Sequence, residues 1–310
     1  MLIFQYVKEV IFMYKTRGKL QYLDERYSVD KLKRKASSKL KTGLPTIDEN
    51  LNIRHGVYLI GGLPSVGKTS LILQLADTFA KSGREVLFFS LEQEEYDLTR
   101  KSLNRIMSQE KLKTEEQAIG IYKEFANNIT TVTSHSVVTI EEIETVLKDY
   151  MNGTHSTPIV FVDYLQLIRT DNNMGKRDTV MHVSNILVNM AKQYRIPLFV
   201  LSALNRTNYL MPIDFEAFKE SGSLEYDADV VFGIQYQLVE DEAFMAMPTD
   251  KKRKMINQEK INDIRKVELV CVKNRFGRIV PKCKLDYYTQ MDWFVEGHPD
   301  EKYSKTTITL

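Results

Sequence analysis

The 310-residue sequence lacks the features that mark several classes of protein. Its 14 glycines and 8 prolines fall well below the average usage of about 12% for the two residues, which excludes collagen-like and low-complexity disordered chains. No apolar run approaches the roughly 18 residues that a membrane-spanning helix needs, so no membrane partner is expected. The content of 43% hydrophobic and 27% charged residues is typical of a globular chain with one large or two modest domains.

Cysteine is also rare, and the two that are present, Cys271 and Cys283, lie in apolar segments typical of strands. No secretory leader is recognisable, because Lys8 and Glu9 interrupt the apolar N-terminus and no small-residue cleavage site follows. We therefore expect reduced, buried thiols in a cytoplasmic protein. The five histidines have no metal-ligand spacing with one another or with the cysteines, so no zinc site is predicted.

No charge sign dominates the whole chain, since 43 Lys/Arg face 41 Asp/Glu. The basic residues are nevertheless concentrated in two blocks. Residues 1–43 carry 11 Lys/Arg against 4 Asp/Glu, and residues 251–284 carry 12 against 3. Such blocks are typical of a surface that binds a polyanion and equally of ordinary solvated surface, and the sequence leaves both interpretations open.

The order of apolar segments predicts the fold. From Val57 onward, runs of strand length alternate with segments of helical periodicity, which is typical of a parallel sheet with crossover helices. The predicted strands are 57–61, 85–91, 129–133, 159–163, 197–202 and 229–235. We therefore predict an α/β fold with a mostly parallel, twisted sheet and helices on both of its faces.

The C-terminal part of the sequence follows a different pattern. A charged helix is predicted near 249–264, followed by two alternating strands at 267–273 and 279–287. Arg275, Phe276 and Gly277 join these strands, which predicts a β-hairpin at one edge of the sheet. The predicted organisation is a helical and basic linker segment at 1–40, the α/β domain at 41–296 and a tail at 297–310.

The densest cluster of glycines forms a phosphate-binding motif. The segment from Gly62 to Thr69, GLPSVGKT, matches G-x-x-x-x-G-K-[ST], follows an apolar strand and opens a helix that ends near Ser82. Backbone N–H groups in such a loop bind phosphate oxygens, Lys68 reaches the β and γ phosphates, and the Thr69 hydroxyl binds Mg²⁺. ATP and Mg²⁺ are the expected ligands, and the alternative is a tight strand-to-helix turn without a ligand. The predicted nucleotide-binding residues are Gly62, Pro64, Ser65, Val66, Gly67, Lys68, Thr69 and Ser70.

Two acidic residues complete the predicted site. Asp163 ends the strand at 159–163, and ligands bind at the carboxyl edge of a parallel sheet, so Asp163 is predicted to bind Mg²⁺ together with Thr69. Glu92 follows the strand at 85–91 and is interpreted as the general base that activates water. The alternative is that Glu92 begins the next helix, where an acid interacts favourably with the N-terminal dipole.

Six segments in this order resemble the RecA-fold ATPase domain of DnaB-type replicative DNA helicases. They cover about residues 41–296 and read GGLPSVGKTS, FFSLEQ, VFVDYLQLI, LSALNR, ESGSLEYDADVV and VKNRFGR. The resemblance implies a RecA-like P-loop NTPase that forms a hexameric ring of identical subunits. It also implies ATP hydrolysis between subunits, movement along single-stranded DNA during replication, and a helicase loader or primase as a partner.

The resemblance also implies roles for individual residues. Lys68, Thr69 and Asp163 keep the roles given above, and Glu92 becomes the catalytic acid residue. Lys273 and Arg275 correspond to a basic pair that reaches the γ-phosphate of the adjacent subunit, where a guanidinium stabilises charge on the transferred phosphoryl group. Without the resemblance, these two residues would be interpreted as an ordinary basic turn.

DNA contacts are implied for two loops, 170–178 and 206–219. Backbone amides and a few basic side chains suffice to follow a phosphate strand without reading its sequence. Solvated loop charge is the alternative interpretation for each residue. The implied DNA-binding residues are Lys176, Arg177, Arg206, Asn208 and Lys219.

The sequence departs from the family pattern in two places. The family motif SQLNR contains a glutamine that senses the γ-phosphate, whereas this chain has Ala203 at that position, so coupling to DNA would be weakened or would use Asn205 or Arg206. About 40 residues precede the ATPase domain, where cellular replicative helicases carry a separate domain of roughly 100 residues, so we expect no primase-binding collar. Both departures favour an alternative function, a RecA-fold regulatory or assembly module that does not unwind strands.

Overall fold

The computed structural model describes residues 39–297, apart from 134–138, 171, 173, 206–208 and 222–223. The predicted N-terminal linker segment and C-terminal tail therefore lie almost entirely outside the described residues. Within the described part of the chain, no helix is both long and apolar enough to cross a membrane. Cys271 and Cys283 are free and buried, which confirms the prediction of buried, unpaired thiols.

A single sheet of nine strands is formed by the described residues, in the order β3-β2-β4-β5-β1-β6-β7-β8-β9. Neighbours among β1 to β6 run parallel, whereas β7, β8 and β9 are added antiparallel. The strands are β1 (Gly56–Gly62), β2 (Val86–Ser90), β3 (Ile129–Thr133), β4 (Ile159–Asp163), β5 (Pro197–Ala203), β6 (Val230–Tyr236), β7 (Ile264–Asn274), β8 (Cys283–Tyr288) and β9 (Trp293–Glu296).

Helices connect the parallel strands and cover the sheet. They are α1 (Pro45–Asn50), α2 (Lys68–Lys81), α3 (Glu95–Gln109), α4 (Glu115–Ala126), α5 (Ile140–Thr154), α6 (Lys176–Gln193), α7 (Leu224–Asp227), α8 (Glu242–Met245) and α9 (Thr249–Glu259). Short 3₁₀ turns lie at Leu165–Leu167, Phe215–Ser221, Gln237–Glu240 and Thr289–Met291. The start of α5 is fixed by a capping box between Thr139 and Glu142, which satisfies two otherwise unpaired backbone N–H groups.

The two faces of the parallel sheet have different cores. Residues such as Val57, Leu59 and Val200 point to one face and pack against aliphatic residues of α5 and α6. The alternate residues point to the other face, where Tyr58 and Phe161 each stack on Phe199, with ring centroids 4.7 and 4.9 Å apart. Because β1, β2 and β4 are buried throughout, they read in the sequence as continuous apolar runs.

The predicted fold is confirmed, with corrections in the antiparallel part. The charged helix predicted near 249–264 ends at Glu259, and β7 begins at Ile264. The second strand of the hairpin begins at Cys283 rather than at residue 279, and the unpredicted β9 lies outside it at the edge of the sheet. The early start of β7 is not evident in the sequence because its charged residues resemble a helix surface. In the structure Lys266 instead forms an ion pair with Asp286 on β8, at 2.7 Å.

Candidate nucleotide site

A cleft of about 520 Å³ opens at the carboxyl edge of the parallel strands. The loop from β1 to α2 forms one wall, and the ends of β2, β4 and β5 contribute Glu92, Asp163 and Ala203. Gly62 and Val66 do not line the cleft. Val66 is fully buried, and Gly62 contributes its backbone carbonyl to the loop. The other predicted nucleotide-binding residues line the cleft, namely Pro64, Ser65, Gly67, Lys68, Thr69 and Ser70.

The loop before α2 has a conformation that requires glycine at one position. Gly67 lies in the left-handed region, with φ of +98°, and a Cβ atom there would approach Phe294 and Tyr287 to 2.7 Å. Gly67 is also the N-cap of α2, so the helix begins directly on the cleft wall. The first N–H groups of a helix have no intrahelical acceptor and carry the positive end of its dipole. This end of α2 is therefore suited to bind phosphate oxygens.

The Lys68 ammonium is held by its own loop. Its Nζ donates hydrogen bonds to the carbonyl oxygens of Gly62 and Leu63, at 3.0 and 2.9 Å. Burial lowers the pKa of Lys68 from its ordinary value, and the nearby carboxylates of Asp163 and Glu92 oppose this shift. A bound polyphosphate would supply stronger acceptors to the same ammonium group.

Thr69 and Asp163 form the predicted metal-binding pair. The Thr69 hydroxyl donates to Asp163 Oδ2 at 2.6 Å, so the two oxygens that are predicted to bind Mg²⁺ are adjacent. Burial raises the pKa of Asp163 to about 6, although the hydrogen bond from Thr69 lowers it. No group of three or more His, Cys, Asp or Glu side chains forms a metal cage within the described residues. A hydroxyl and one carboxylate fit Mg²⁺, which usually keeps several waters and shares its coordination with substrate phosphates.

Glu92 lies in the cleft as an exposed side chain in the loop that follows β2. Helix α3 begins at Glu95, with Glu94 as its N-cap residue, so Glu92 is not the first residue of that helix. The alternative interpretation of Glu92 as a helix start is therefore wrong. The position of Glu92 beside Lys68 and Asp163 fits a carboxylate that accepts a proton from water.

Lys273 and Arg275 lie far from this cleft in the same chain. Asn274 pairs with Val230 at the amino end of β6, whereas the cleft is at the carboxyl ends of the parallel strands. Arg275 donates to the carbonyl oxygens of Tyr226 and Asp227, at 2.7 and 2.8 Å, and Lys273 donates to those of Glu225 and Tyr226. The structure does not bring the predicted basic pair to the cleft of its own subunit.

The predicted DNA-binding residues belong to two regions that are only partly among the described residues. Arg206 and Asn208 lie outside the described residues. Lys176 and Arg177 begin α6, and Lys219 lies in the 3₁₀ turn at Phe215–Ser221. The side chains of these three residues also lie outside the described part of the structure, so their role stays a prediction.

Five described residues of the cleft wall are not predicted by the sequence: Gln93, Lys101, Tyr164, Arg265 and Tyr287. Arg265 at the start of β7 donates to the backbone carbonyl of Ser65 in the phosphate-binding loop, and its guanidinium lies 5.8 Å from the Tyr287 ring centroid. Lys101, Arg265 and Tyr287 are distant from the motifs in sequence, whereas Gln93 and Tyr164 lie within motif segments but have no role assigned to them. Recognition that β7 begins at Ile264 would have placed Arg265 near the carboxyl edge of β6.

A buried polar cluster joins the start of helix α2 to the antiparallel strands. Asp292, in the turn between β8 and β9, is 6% exposed and accepts hydrogen bonds from Ser70 at 2.7 Å and from Lys101 at 2.8 Å. The Tyr287 hydroxyl lies 3.2 Å from Ser70 Oγ. Asp292 adopts a left-handed conformation, with φ of +47°, which aspartate tolerates better than most residues. The cluster fixes one wall of the cleft.

Helix α2 is attached to β9 by further buried contacts. Gln74 donates to the Phe294 carbonyl at 2.9 Å and accepts from the Phe294 N–H at 2.8 Å. Arg105 on α3 forms an ion pair with Asp77 on α2 and donates to the Asp292 carbonyl at 2.8 Å. The side chains of Arg105 and Asp77 are only 2% and 5% exposed, so each charge depends on the other for compensation.

The end of β5 is fixed by Gln166 from the segment after β4. Its amide donates to Ser202 Oγ at 2.9 Å and accepts from the Ala203 N–H at 3.2 Å. Ala203 lines the cleft and offers no side-chain hydrogen bond there, as the sequence predicts. Both the NH₂ group and the oxygen of the Gln166 side-chain amide therefore form hydrogen bonds that hold the end of β5.

The sheet order, the glycine loop and the paired Thr69 and Asp163 define a P-loop nucleotide-binding protein of the α/β class. The family model described as the DnaB-like helicase C terminal domain matches residues 39–296. The chain belongs to this family, and the resemblance found in the motifs is confirmed.

Individual relatives agree with this assignment. The replicative DNA helicase DnaB of Mycoplasma pneumoniae is 27% identical over 290 residues, which cover 84% of this chain and 58% of the relative. The chain spans about half the length of the curated relatives it matches.

Two solved structures share the fold. One is an isolated ATPase domain, which superposes with a TM-score of 0.70 at 19% identity and covers 88% of this chain and 98% of that domain. The other is a DnaB-like replicative helicase studied with its interactions with primase, with a TM-score of 0.68 at 20% identity. This second match covers 93% of this chain and 70% of the helicase. At this level of identity the two structures establish the fold alone, and the predicted RecA-like fold is confirmed.

Proposed function

We propose that this chain is the ATP-hydrolysing motor of a ring-shaped DNA helicase that moves along single-stranded DNA during replication. The observation that carries the proposal is the separation within one chain of two sets of residues. Lys68, Thr69, Asp163 and Glu92 share one cleft, whereas the basic pair lies at the other end of the sheet. A complete site then requires a second subunit.

The proposed hydrolysis uses the geometry of the cleft directly. Lys68 exchanges its two loop carbonyls for β- and γ-phosphate oxygens, and the N-terminus of α2 binds phosphate through its backbone N–H groups. Thr69 and Asp163 would hold Mg²⁺, which neutralises charge on the phosphate oxygens when it is bound. Glu92 accepts a proton from the attacking water.

Lys273 and Arg275 of a neighbouring subunit would complete this site. A guanidinium supplied across an interface stabilises charge that develops on the transferred phosphoryl group. Hydrolysis would then depend on how adjacent subunits are arranged, which would tie each turnover to the geometry of the ring. Six identical subunits in a ring are the proposed assembly.

DNA binding is proposed for Lys176, Arg177, Arg206, Asn208 and Lys219 in a central channel. A loader or primase is the proposed protein partner, since one similar solved helicase is named for its interactions with primase. A cytoplasmic location is proposed, with the two free cysteines as support.

The decisive experiment compares ATP hydrolysis with and without single-stranded DNA, together with strand displacement on a forked duplex. We expect DNA to stimulate hydrolysis and Lys68→Ala to lower it about 10²–10³-fold, as when a major charge-stabilising group is removed. Hydrolysis without any DNA stimulation or strand displacement would contradict the helicase proposal and leave the ATPase proposal standing.

A regulatory or assembly module is the second candidate function, and Ala203 is the observation that favours it. A protein of this kind would change its oligomeric state with ATP without threading DNA. Cross-linking with and without ATP, together with DNA titrations over salt concentration, separates the two functions. Steep salt dependence on single strands supports the helicase because it reports released counterions.

A further inference from the structure

Gln93 is a cleft residue whose side chain has an unexplained polar atom. Its amide oxygen Oε1 is buried and has no hydrogen-bond partner within the described part of the structure. Buried polar atoms are nearly always paired, so this oxygen is expected to gain a partner when the cleft is filled. Because the oxygen is shielded from water, the Gln93 side chain must rotate before a molecule in the cleft can reach it. Gln93 is also the only carboxamide among the described residues that line the cleft.

The position of Gln93 is fixed by the turn after β2. Ser90 Oγ donates to the Gln93 backbone carbonyl at 2.6 Å, which closes this turn before α3 begins at Glu95. Gln93 follows Glu92 directly, and both residues line the same cleft. The backbone of this turn therefore places Gln93 on the same part of the cleft wall as Glu92, which we propose as the general base.

Among the residues that the structure describes, the opposite wall of the cleft has no carboxamide side chain. Ala203 contributes only a methyl side chain there, and the nearby Gln166 amide is already engaged with Ser202 and the Ala203 backbone. Family resemblance implies a γ-phosphate-sensing glutamine at position 203. The chain thus has an unpaired amide oxygen on one wall and a missing amide on the other.

We propose that Gln93, in the turn after β2, holds the attacking water and the terminal phosphate. It thereby supplies the hydrogen bond to the γ-phosphate that Ala203, at the end of β5, cannot form. This inference rests on the proposed ATPase function and deepens it. The amide oxygen accepts a hydrogen bond from the water, and the amide NH₂ donates to a γ-phosphate oxygen. A glutamine that orients the attacking water is an established solution in other phosphate-hydrolysing enzymes.

The reaction balances with Gln93 unchanged. The water oxygen forms a bond to the terminal phosphorus, and one water proton passes to the Glu92 carboxylate. The bond between that phosphorus and the bridging oxygen breaks, and its electron pair stays on ADP. Inorganic phosphate leaves, and Glu92 returns the proton to solvent.

The first test is Gln93→Met, which removes the amide and keeps the side-chain length. We expect kcat to fall about 10²-fold, a typical effect for a group that positions a reacting proton or water. The dissociation constant for ADP, which lacks the terminal phosphate, should change less than about twofold, because Lys68 and the loop remain intact. Thermal unfolding should show no loss of stability, since the substitution removes an unpaired buried oxygen.

The second test is rescue by Gln93→Met combined with Ala203→Gln. We expect kcat of the double variant to be at least about tenfold higher than that of Gln93→Met, because the glutamine at position 203 supplies an amide from the opposite wall of the cleft. Gln117→Met is the matched control, because Gln117 is exposed on α4 and its side-chain oxygen accepts from the Lys113 N–H rather than facing the cleft.

The outcomes separate this inference from the proposed function. If the wild type hydrolyses ATP, Lys68→Ala is inactive and Gln93→Met has normal kcat, the inference is wrong and the ATPase function stands. If kcat falls but Ala203→Gln restores nothing, the assignment of a shared task to positions 93 and 203 is overturned. A wild type without ATPase activity would overturn both proposals.

Discussion

The parallel and antiparallel parts of the sheet have different tasks in this molecule. The parallel part, β1 to β6, carries Lys68, Asp163 and Glu92 at its carboxyl edge, and its central strands are buried on both faces. The antiparallel part, β7 to β9, has exposed charged residues on its strands and holds α2 through Asp292 and Phe294. The residues that we propose for hydrolysis lie in the first part, whereas the second part fixes the cleft wall and carries the basic pair at the far end.

This difference shows that an active cleft can be built by one part of a sheet and held in shape by another. The antiparallel part contacts the loop before α2 through Arg265, and it contacts the start of α2 through the hydrogen bond between Asp292 and Ser70. Variants of the cleft residues and of the basic pair should therefore lose turnover, whereas variants of the contacts that hold α2 and the cleft wall should lose stability or nucleotide affinity.

The largest expected effect concerns the division of the site between subunits. Lys68→Ala and Arg275→Ala should each lower ATPase activity about 10²–10³-fold alone. Mixed in equal amounts, they should recover activity, because about a quarter of randomly assorted interfaces pair an intact cleft with an intact Arg275 if sites act independently. Steady-state ATPase measurements on premixed subunits check this.

Arg278→Ala is the control for that mixture, since Arg278 is exposed in the same turn region as Arg275 and should support normal turnover. An inactive mixture of two folded variants would show that Arg275 does not act across the interface.

The second effect tests the buried attachment between α3 and α2. Arg105→Met leaves Asp77 buried without its cation and should lower the free energy of unfolding by about 3–5 kcal/mol. Chemical denaturation measures the loss. Arg100→Met on the same helix is the matched control, because its ion pair with Glu115 is about half exposed and contributes at most about 1 kcal/mol. Equal losses for the two variants would refute the structural role of Arg105.

A smaller effect is expected at the turn between β8 and β9. Asp292→Asn keeps a residue that tolerates the left-handed conformation but removes the charge that faces Lys101, so we expect a loss of about 1–2 kcal/mol. Because Ser70 and Lys101 line the cleft, the dissociation constant for ATP should also rise. Denaturation and nucleotide titration are the measurements, and Asp263→Asn, at an exposed site, should change neither.

The smallest effect lies in the parallel part, away from the junction with β7 to β9. The Tyr150 hydroxyl donates to Glu85, and burial chiefly, with Glu85 second, raises the pKa of Tyr150 to about 12. An unfolded tyrosine has a pKa of about 10, so this contribution is complete below pH 10 and is lost as pH rises from 10 to 12. The difference in Tm between wild type and Tyr150→Phe should shrink across that range. A difference that is constant across that range would contradict this account.

The central parallel strands could be predicted from the sequence because burial on both faces demands continuous apolar runs. The positions of Lys68, Thr69 and Asp163 could also be predicted from the sequence, because a fixed motif and the end of a strand determine them. The start of β7 could not be predicted from the sequence. Arg265 contacts Ser65 and Lys266 contacts Asp286, and both contacts join residues that are far apart in the sequence. Local sequence patterns do not reveal such contacts.

Gln93 and Asp292 show a second limit of the sequence. No motif assigns a role to either residue. The role of each depends on the residues that lie opposite it in the folded structure. An unpaired buried amide oxygen can be recognised only after the surrounding atoms have been placed. The same is true of Asp292, which accepts hydrogen bonds from Ser70 on α2 and from Lys101 on α3.

The placement of Lys273 and Arg275 at the opposite end of the sheet from the cleft has a consequence for symmetry. Each proposed contact joins two different surfaces, so the assembly is heterologous rather than a twofold pair of identical patches. An open row of such subunits always has one incomplete cleft at its end, and only a closed assembly gives every subunit a complete one. Closure itself would then add a catalytic site.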